Sequence, residues 1–198
     1  EAGNLYAVAT FGNVSSAPLE MPLKDGSSTS LAVTNNWGED YLLVKFNKDG
    51  EILWATSIGS KFRENGTPDV TVGEDGNPVI CGVFNAANGN LMNESEEKRE
   101  FYIGEQKYLL YPEQSKESAL VKLNSTDGSV MWSRYFTGTG NQEVLKVQAV
   151  SGSNAVAVTG KANNQIIVEG SAGLSTETVT HVSGADHLFV ISFDVDGK

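Results

Sequence analysis

Three stretches of the chain carry apolar residues at every second position. Leu42, Val44 and Phe46 form the first, Ala119, Val121 and Leu123 the second, and Phe189, Ile191 and Phe193 the third. The residues between them are mixed: Tyr41, Leu43 and Lys45, then Ser118, Leu120 and Lys122, then Leu188, Val190 and Ser192. A period of two with one apolar and one partly covered face predicts β-strands. Each stretch runs into a turn that ends in Asp-Gly: Asn47-Lys-Asp-Gly50, Asn124-Ser-Thr-Asp-Gly128 and Asp194-Val-Asp-Gly197. Glycine takes a positive φ there without steric cost, so each stretch opens a hairpin. In the first two copies a tryptophan follows at matching phase, Trp54 and Trp132.

A second element recurs between these. Asp69-Val-Thr-Val-Gly-Glu-Asp-Gly-Asn-Pro-Val-Ile-Cys-Gly82 matches the stretch from Leu145 to Gly160, and Gly3–Thr10 reads as the second half of the same hairpin. Two elements in constant order establish an internal repeat, with units at approximately 1–60, 61–138 and 139–198. Gly50, Gly128 and Gly197 set the period at 78 and then 69 residues. Segments 11–38, 85–116 and 161–185 differ in length and sequence, as expected of loops or an outer hairpin. Each unit is expected to hold such an extra outer hairpin. Gln142–Val150 and Leu91–Glu100 have mild helical propensity, but the first falls in a strand phase of the repeat, and register outweighs propensity. The fold class expected is all-β: an array of about 2.7 repeats of 70–78 residues, in antiparallel sheets of four to six strands.

The phrase from Asp40 to Gly59, followed by the Val-x-x-Asp-Gly-Asn element, resembles the SBBP-type bacterial β-propeller repeat. The resemblance covers nearly the whole chain outside the variable segments. It implies a β-propeller-like architecture in a secreted, periplasmic or cell-surface bacterial protein. It also implies a binding, adhesion or scaffolding role with a protein or carbohydrate ligand, and no fixed catalytic residues. The chain departs from that family in its longer period and in having fewer units than the roughly four blades a ring requires. A longer array, a curved open stack or protomers that complete one another would each accommodate this. Leu123–Trp132 is also similar to the Asp-x-x-Thr-Gly-x-x-x-Trp docking motif of quinoprotein propellers, although Asp127 splits its Thr-Gly pair. The Asp-Gly-x-x-x-Trp phrase is shared as well with outer-membrane assembly propellers.

Charge narrows the partners. With 14 Lys+Arg against 25 Asp+Glu, the net charge of -11 argues against nucleic acid and anionic lipid surfaces. No apolar run approaches the roughly 18 residues of a transmembrane helix, and no basic, apolar leader opens the sequence. The single cysteine, Cys81, allows neither an internal disulfide nor a cysteine-built metal site, and its apolar setting reads as a small buried hydrophobe.

Few residues suggest chemistry. Trp54 and Trp132 could stack on a sugar or flat cofactor, but a repeated aromatic at fixed phase reads as packing between stacked sheets. Trp37 has no counterpart in the other copies and lies in the polar loop Asn35–Asp40, which makes it a binding candidate. Asn93–Glu117 holds 7 Glu against 4 Lys+Arg together with Tyr102, Tyr108 and Tyr111. Charged stretches are solvated faces as a rule, but tyrosines on an exposed hairpin offer contact area at low entropic cost. The Asx residues of the turns lack the spacing of a calcium loop and read as turn supports. His181 and His187 have no cluster of partners in sequence, and nucleophile-elbow, phosphate-loop and zincin motifs are missing. No catalytic residue, metal or cofactor is therefore expected.

Overall fold

Side-chain carboxylates and amides hold the turns that the sequence marks. Asn47 Oδ1 accepts the amides of Asp49 and Glu51, both at 2.9 Å, while Gly50 sits at a φ of 81°. Asp194 repeats the arrangement, accepting the amides of Asp196 at 3.0 Å and Lys198 at 2.8 Å. Asn124 does so for Thr126, and Asp75 for Asn77. These are Asx turns, which fix the hairpin registers on either side.

The computed structural model describes residues 3–12, 18–31, 39–60, 66–85, 99–104, 106–110, 116–170, 174–180 and 185–198. Its strands form antiparallel sheets, and the described residues contain no helix. The first sheet runs in the order β1 (Leu5–Gly12), β4 (Glu39–Phe46), β5 (Ile52–Ser60), β8 (Arg99–Ile103), β9 (Gln106–Leu110). The second runs β6 (Asp69–Val72), β7 (Pro78–Asn85), β10 (Lys116–Leu123), β11 (Val130–Thr137), β14 (Gln165–Gly170), β15 (Glu177–Thr180). The third is β12 (Gln142–Ala149), β13 (Val156–Ala162), β16 (His187–Phe193). A hairpin of β2 (Leu19–Pro22) and β3 (Ser28–Leu31) pairs only within itself among the described residues. The mildly helical segment at 142–150 is strand β12, so the repeat register prevails there; 91–98 lies outside the described residues.

The outer hairpins differ from expectation in where they belong. β8–β9 leaves the second repeat and extends the first sheet, with Ile58 opposite Ile103 and Gly59 opposite Tyr102. β14–β15 leaves the third repeat and extends the second sheet, with Phe136 opposite Val168. Each hairpin thus completes the sheet of the preceding repeat. The physical reason is the free outer edge of the tryptophan strand, whose unpaired amides and carbonyls the hairpin satisfies. The strand bearing Trp54 and the one bearing Trp132 carry the same bulge, opposite Lys45/Phe46 and Lys122/Leu123.

The sheets pack face to face. Tyr41, Leu43, Trp54 and Ile58 of the first sheet meet Ile80, Ala119, Val121, Leu123 and Tyr135 of the second. Val79, Cys81, Leu120, Trp132 and Phe136 of the second meet Val144, Val147, Val158, Phe189 and Phe193 of the third. At roughly 1.5–3 kcal/mol for each large apolar side chain taken from water, these two layers dominate the cohesion of the stack. Cys81 is buried within the second layer. Burial, aided by the nearby Asp69 carboxylate, pushes its thiol up to about 12, which removes it as a nucleophile at neutral pH.

The inner edges are stitched by side chains. Asp69 Oδ2 accepts the Val147 amide at 3.0 Å, Thr71 Oγ1 accepts the Ala149 amide at 3.1 Å, and Glu74 Oε1 accepts the Gly152 amide at 2.6 Å. Edge amides of β12 that would otherwise template a foreign strand are covered in this way by β6.

Candidate binding surface at the loop end

Strand direction divides the stack into two unlike ends. One end carries the tight turns, Asn47–Gly50, Gly73–Gly76, Asn124–Gly128, Val150–Ser153 and Asp194–Gly197. The other receives the connections into and out of every sheet. There β4, β10 and β16 begin, and β5, β7, β11 and β13 end. A rigid scaffold that presents loops of unlike sequence from one end is where binding residues concentrate.

At the turn end, Trp54 and Trp132 each dock on the turn of the following repeat. Trp54 Nε1 donates to the Ser125 carbonyl at 3.0 Å, and Trp132 Nε1 donates to the Val195 carbonyl at 2.8 Å. Their rings lie on Gly128 and Gly197, so closely that a side chain at Gly197 would begin 2.8 Å from the Trp132 ring. Both tryptophans are therefore packing residues between sheets, with no face left for a ligand.

Three buried cations work beside them, and the sequence pattern did not single them out. Lys45 donates to the Ser125 carbonyl and Lys122 to the Val195 carbonyl, each into the turn that receives the neighbouring indole. The repeated phase of the two lysines was the available signal. Arg134 donates through Nε to the Gly197 carbonyl and through a terminal nitrogen to the Ser175 carbonyl. Burial lowers its pKa, while Glu177 and Asp194 oppose that shift. It ties the last turn and the segment before β15 to the second sheet, a positioning role without access to a substrate.

Lys122 leads to a testable prediction. Its side chain is 4% exposed and lies 2.6 Å from Asp75 Oδ2. Burial alone would raise the Asp75 carboxyl, but hydrogen bonds from Lys122 and Asn77 outweigh it and hold the pKa below the ordinary value. A depressed folded pKa contributes stability above the unfolded value of about 3.9, and that stability is lost as pH falls through the folded value. Asp75→Asn is expected to cost about 1–2 kcal/mol at pH 7, because it strands a buried ammonium, discounted for the partial exposure of Asp75. Lys122→Met removes the charge with its desolvation cost and is expected to stay within about 1 kcal/mol. Urea unfolding at pH 7 and pH 3 checks both: the gap between wild type and Asp75→Asn should shrink at the lower pH.

At the loop end, Asp40, Glu117 and His187 stand at or beside the first residue of their strands. Asp40 is buried against Gly59, where any side chain would begin 2.3 Å from its carboxylate. Gly59 in turn faces Tyr102 across the sheet, so Asp40 and Tyr102 flank a glycine in one row. Between the second and third sheets, Glu143 Oε1 lies 3.3 Å from Lys116 Nζ and 3.4 Å from Lys161 Nζ. The Ser118 hydroxyl donates to the Gln142 carbonyl and accepts the Val144 amide, both at 2.8 Å. Gln142 Nε2 donates to the carbonyls of Thr139 at 3.0 Å and Gln165 at 2.9 Å. This end is thus a rim of part-exposed lysines, buried carboxylates and amides, suited to polar recognition.

Of the sequence candidates, Tyr102 is half-buried in β8. Tyr108 pairs with Phe101 in β9, at the position next to the Tyr102–Lys107 pair. Trp37 and Tyr111 fall within 32–38 and 111–115, outside the described residues, as does His181. Among the described residues no three His, Cys, Asp or Glu side chains converge as a metal site needs, and no helix is long and apolar enough to cross a membrane. No protein-family model, curated protein or solved structure matches the chain.

Proposed function

We propose that the chain is a segment of β-propeller type that serves as a non-catalytic extracellular module for binding, adhesion or scaffolding. Its ligand is a protein or carbohydrate at the surface of a bacterial cell, and it meets that ligand through the loop end. The observation that carries this reading is the segregation of the two ends: repeated, tightly built turns at one, and at the other a non-repeated rim with Asp40, Tyr102 and the Lys116–Glu143–Lys161 cluster. Similar face-to-face contacts between successive sheets, each with an indole on the next turn, support the propeller part of it. The resemblance of Asp40–Gly59 to SBBP-type repeats supports the cellular setting.

The test is binding of the purified chain to a glycan array and to a panel of extracellular-matrix proteins. Trp37→Ala and Tyr102→Ala are expected to weaken the strongest signal at least tenfold, and the turn-end variant Lys48→Ala to leave it unchanged. Loss on the turn-end variant alone, or no binding on either panel, would refute this reading. Tight uptake of pyrroloquinoline quinone would replace it with the quinoprotein one.

A further inference from the structure

We propose that the open face of the third sheet docks the open face of the first sheet of a second copy of this chain, head to tail. In the first two sheets, the row of strand residues that faces the following repeat is buried: Tyr41 and Leu43 in β4, Ser118 and Leu120 in β10. The same row in β16 is Leu188 and Val190, which are 85% and 73% exposed. At the opposite end of the stack, Leu5, Ala7 and Ala9 of β1 occupy the positions that Pro78, Ile80 and Gly82 hold in β7. Ile80 and Gly82 lie against the first sheet, whereas Leu5 is 62% exposed and both alanines are open to solvent.

Two exposed apolar rows are therefore left, in β16 and in β1 beside the buried Val44, and each is the counterpart of a row that the molecule buries within itself. The interface already present between consecutive sheets specifies which face meets which. Gly50 adds a second sign of this continuity. Its turn matches those of Gly128 and Gly197, which lie beneath the indoles of the preceding repeat, yet among the described residues a side chain begun at Gly50 would meet nothing within 4 Å. The rows at issue, Leu188 and Val190 against Leu5, Ala7 and Ala9, contain no charged residue. The contact is heterologous, and such contacts close into rings when the rotation permits. Two copies would contribute six main sheets, within the roughly four to eight that closed radial stacks of sheets contain.

Light scattering and sedimentation of the purified chain between about 10 and 200 μM are expected to give a species of twice the 21.1 kDa chain mass. Leu188→Glu combined with Val190→Glu alters only the tail face, and Ala7→Glu combined with Ala9→Glu alters only the head face. Each double variant is expected to raise the dissociation constant more than tenfold while keeping the far-ultraviolet dichroism of the wild type. Mixing the two variants should restore a 1:1 complex, because one unaltered head and one unaltered tail remain. A wild-type monomer across the whole range would overturn the proposal and assign the face to a different partner. Association that survives both double variants would overturn it as well, by placing the contact elsewhere.

Discussion

Replacing Trp132 with alanine is expected to lower the midpoint of thermal unfolding by on the order of 10 °C, from a loss of about 3–5 kcal/mol. The side chain is buried between the second and third sheets, donates to the Val195 carbonyl at 2.8 Å and lies 6.5 Å, centroid to centroid, from Phe193. Truncation leaves a cavity under Gly197 and strips the turn of the ring that covers it. Trp132→Phe keeps much of the volume and loses the indole N–H, so it should cost about 1–2 kcal/mol. Calorimetry of the three proteins checks the order. A shift below about 2 °C for the alanine variant would mean that the indole does not join the two sheets.

Gly82→Val is expected to destabilise by about 3 kcal/mol or more. A side chain at Gly82 would begin 2.2 Å from the Tyr41 ring. That ring cannot swing aside, because its hydroxyl donates to the Val83 carbonyl at 2.6 Å and accepts the Val83 amide at 3.1 Å. Forced overpacking usually costs 1–3 kcal/mol, and a ring pinned at both ends places this site at the upper limit. The effect should be coupled to the partner: in a Tyr41→Ser background the added cost of Gly82→Val should fall by at least half. Urea midpoints of the four proteins form the cycle, and additive costs would show that Tyr41 does not pack on Gly82.

The sequence pattern reached the strands because their determinants are local. Leu42, Val44 and Phe46 alternate, and the Asx-Gly turns after them hold their own backbone with their own side chains. Strand β12 was legible for a related reason, since matching repeats outweigh a weak helical bias at Gln142–Ala149. Sheet membership was not legible. Phe101–Ile103 and Ile166–Val168 read as short apolar pieces, but which free edge they join depends on where the preceding repeat ends its tryptophan strand. Arg134 was equally hidden, because its acceptors lie 63 and 41 residues away in the chain. For the binding surface, Tyr102 and Tyr108 drew attention to the hairpin of β8 and β9, whereas Trp37 and Tyr111 lie outside the described residues. The row of Asp40, Gly59 and Tyr102 emerged only once β8 was seen to extend the first sheet.

That extension has a consequence for how the surface is built. A loop end whose residues come from consecutive repeats is shaped by both, so a change in β8 or β9 reaches the first sheet rather than its own. Variation in length and sequence between the hairpins can then alter recognition without disturbing the tryptophan–turn contacts that hold the stack together.

Completion of the first and second sheets by a hairpin from the following repeat is the claim on which the account depends. The most direct measurement is the set of cross-strand Hα–Hα and amide nuclear Overhauser effects in isotopically labelled protein. The predicted result connects the β11 and β14 backbones in the register of Arg134 with Gly170 and Phe136 with Val168, and connects β13 directly to β16 through Val158 and Ile191. Contacts that place β14 between β13 and β16, in sequence order within the third sheet, would contradict it.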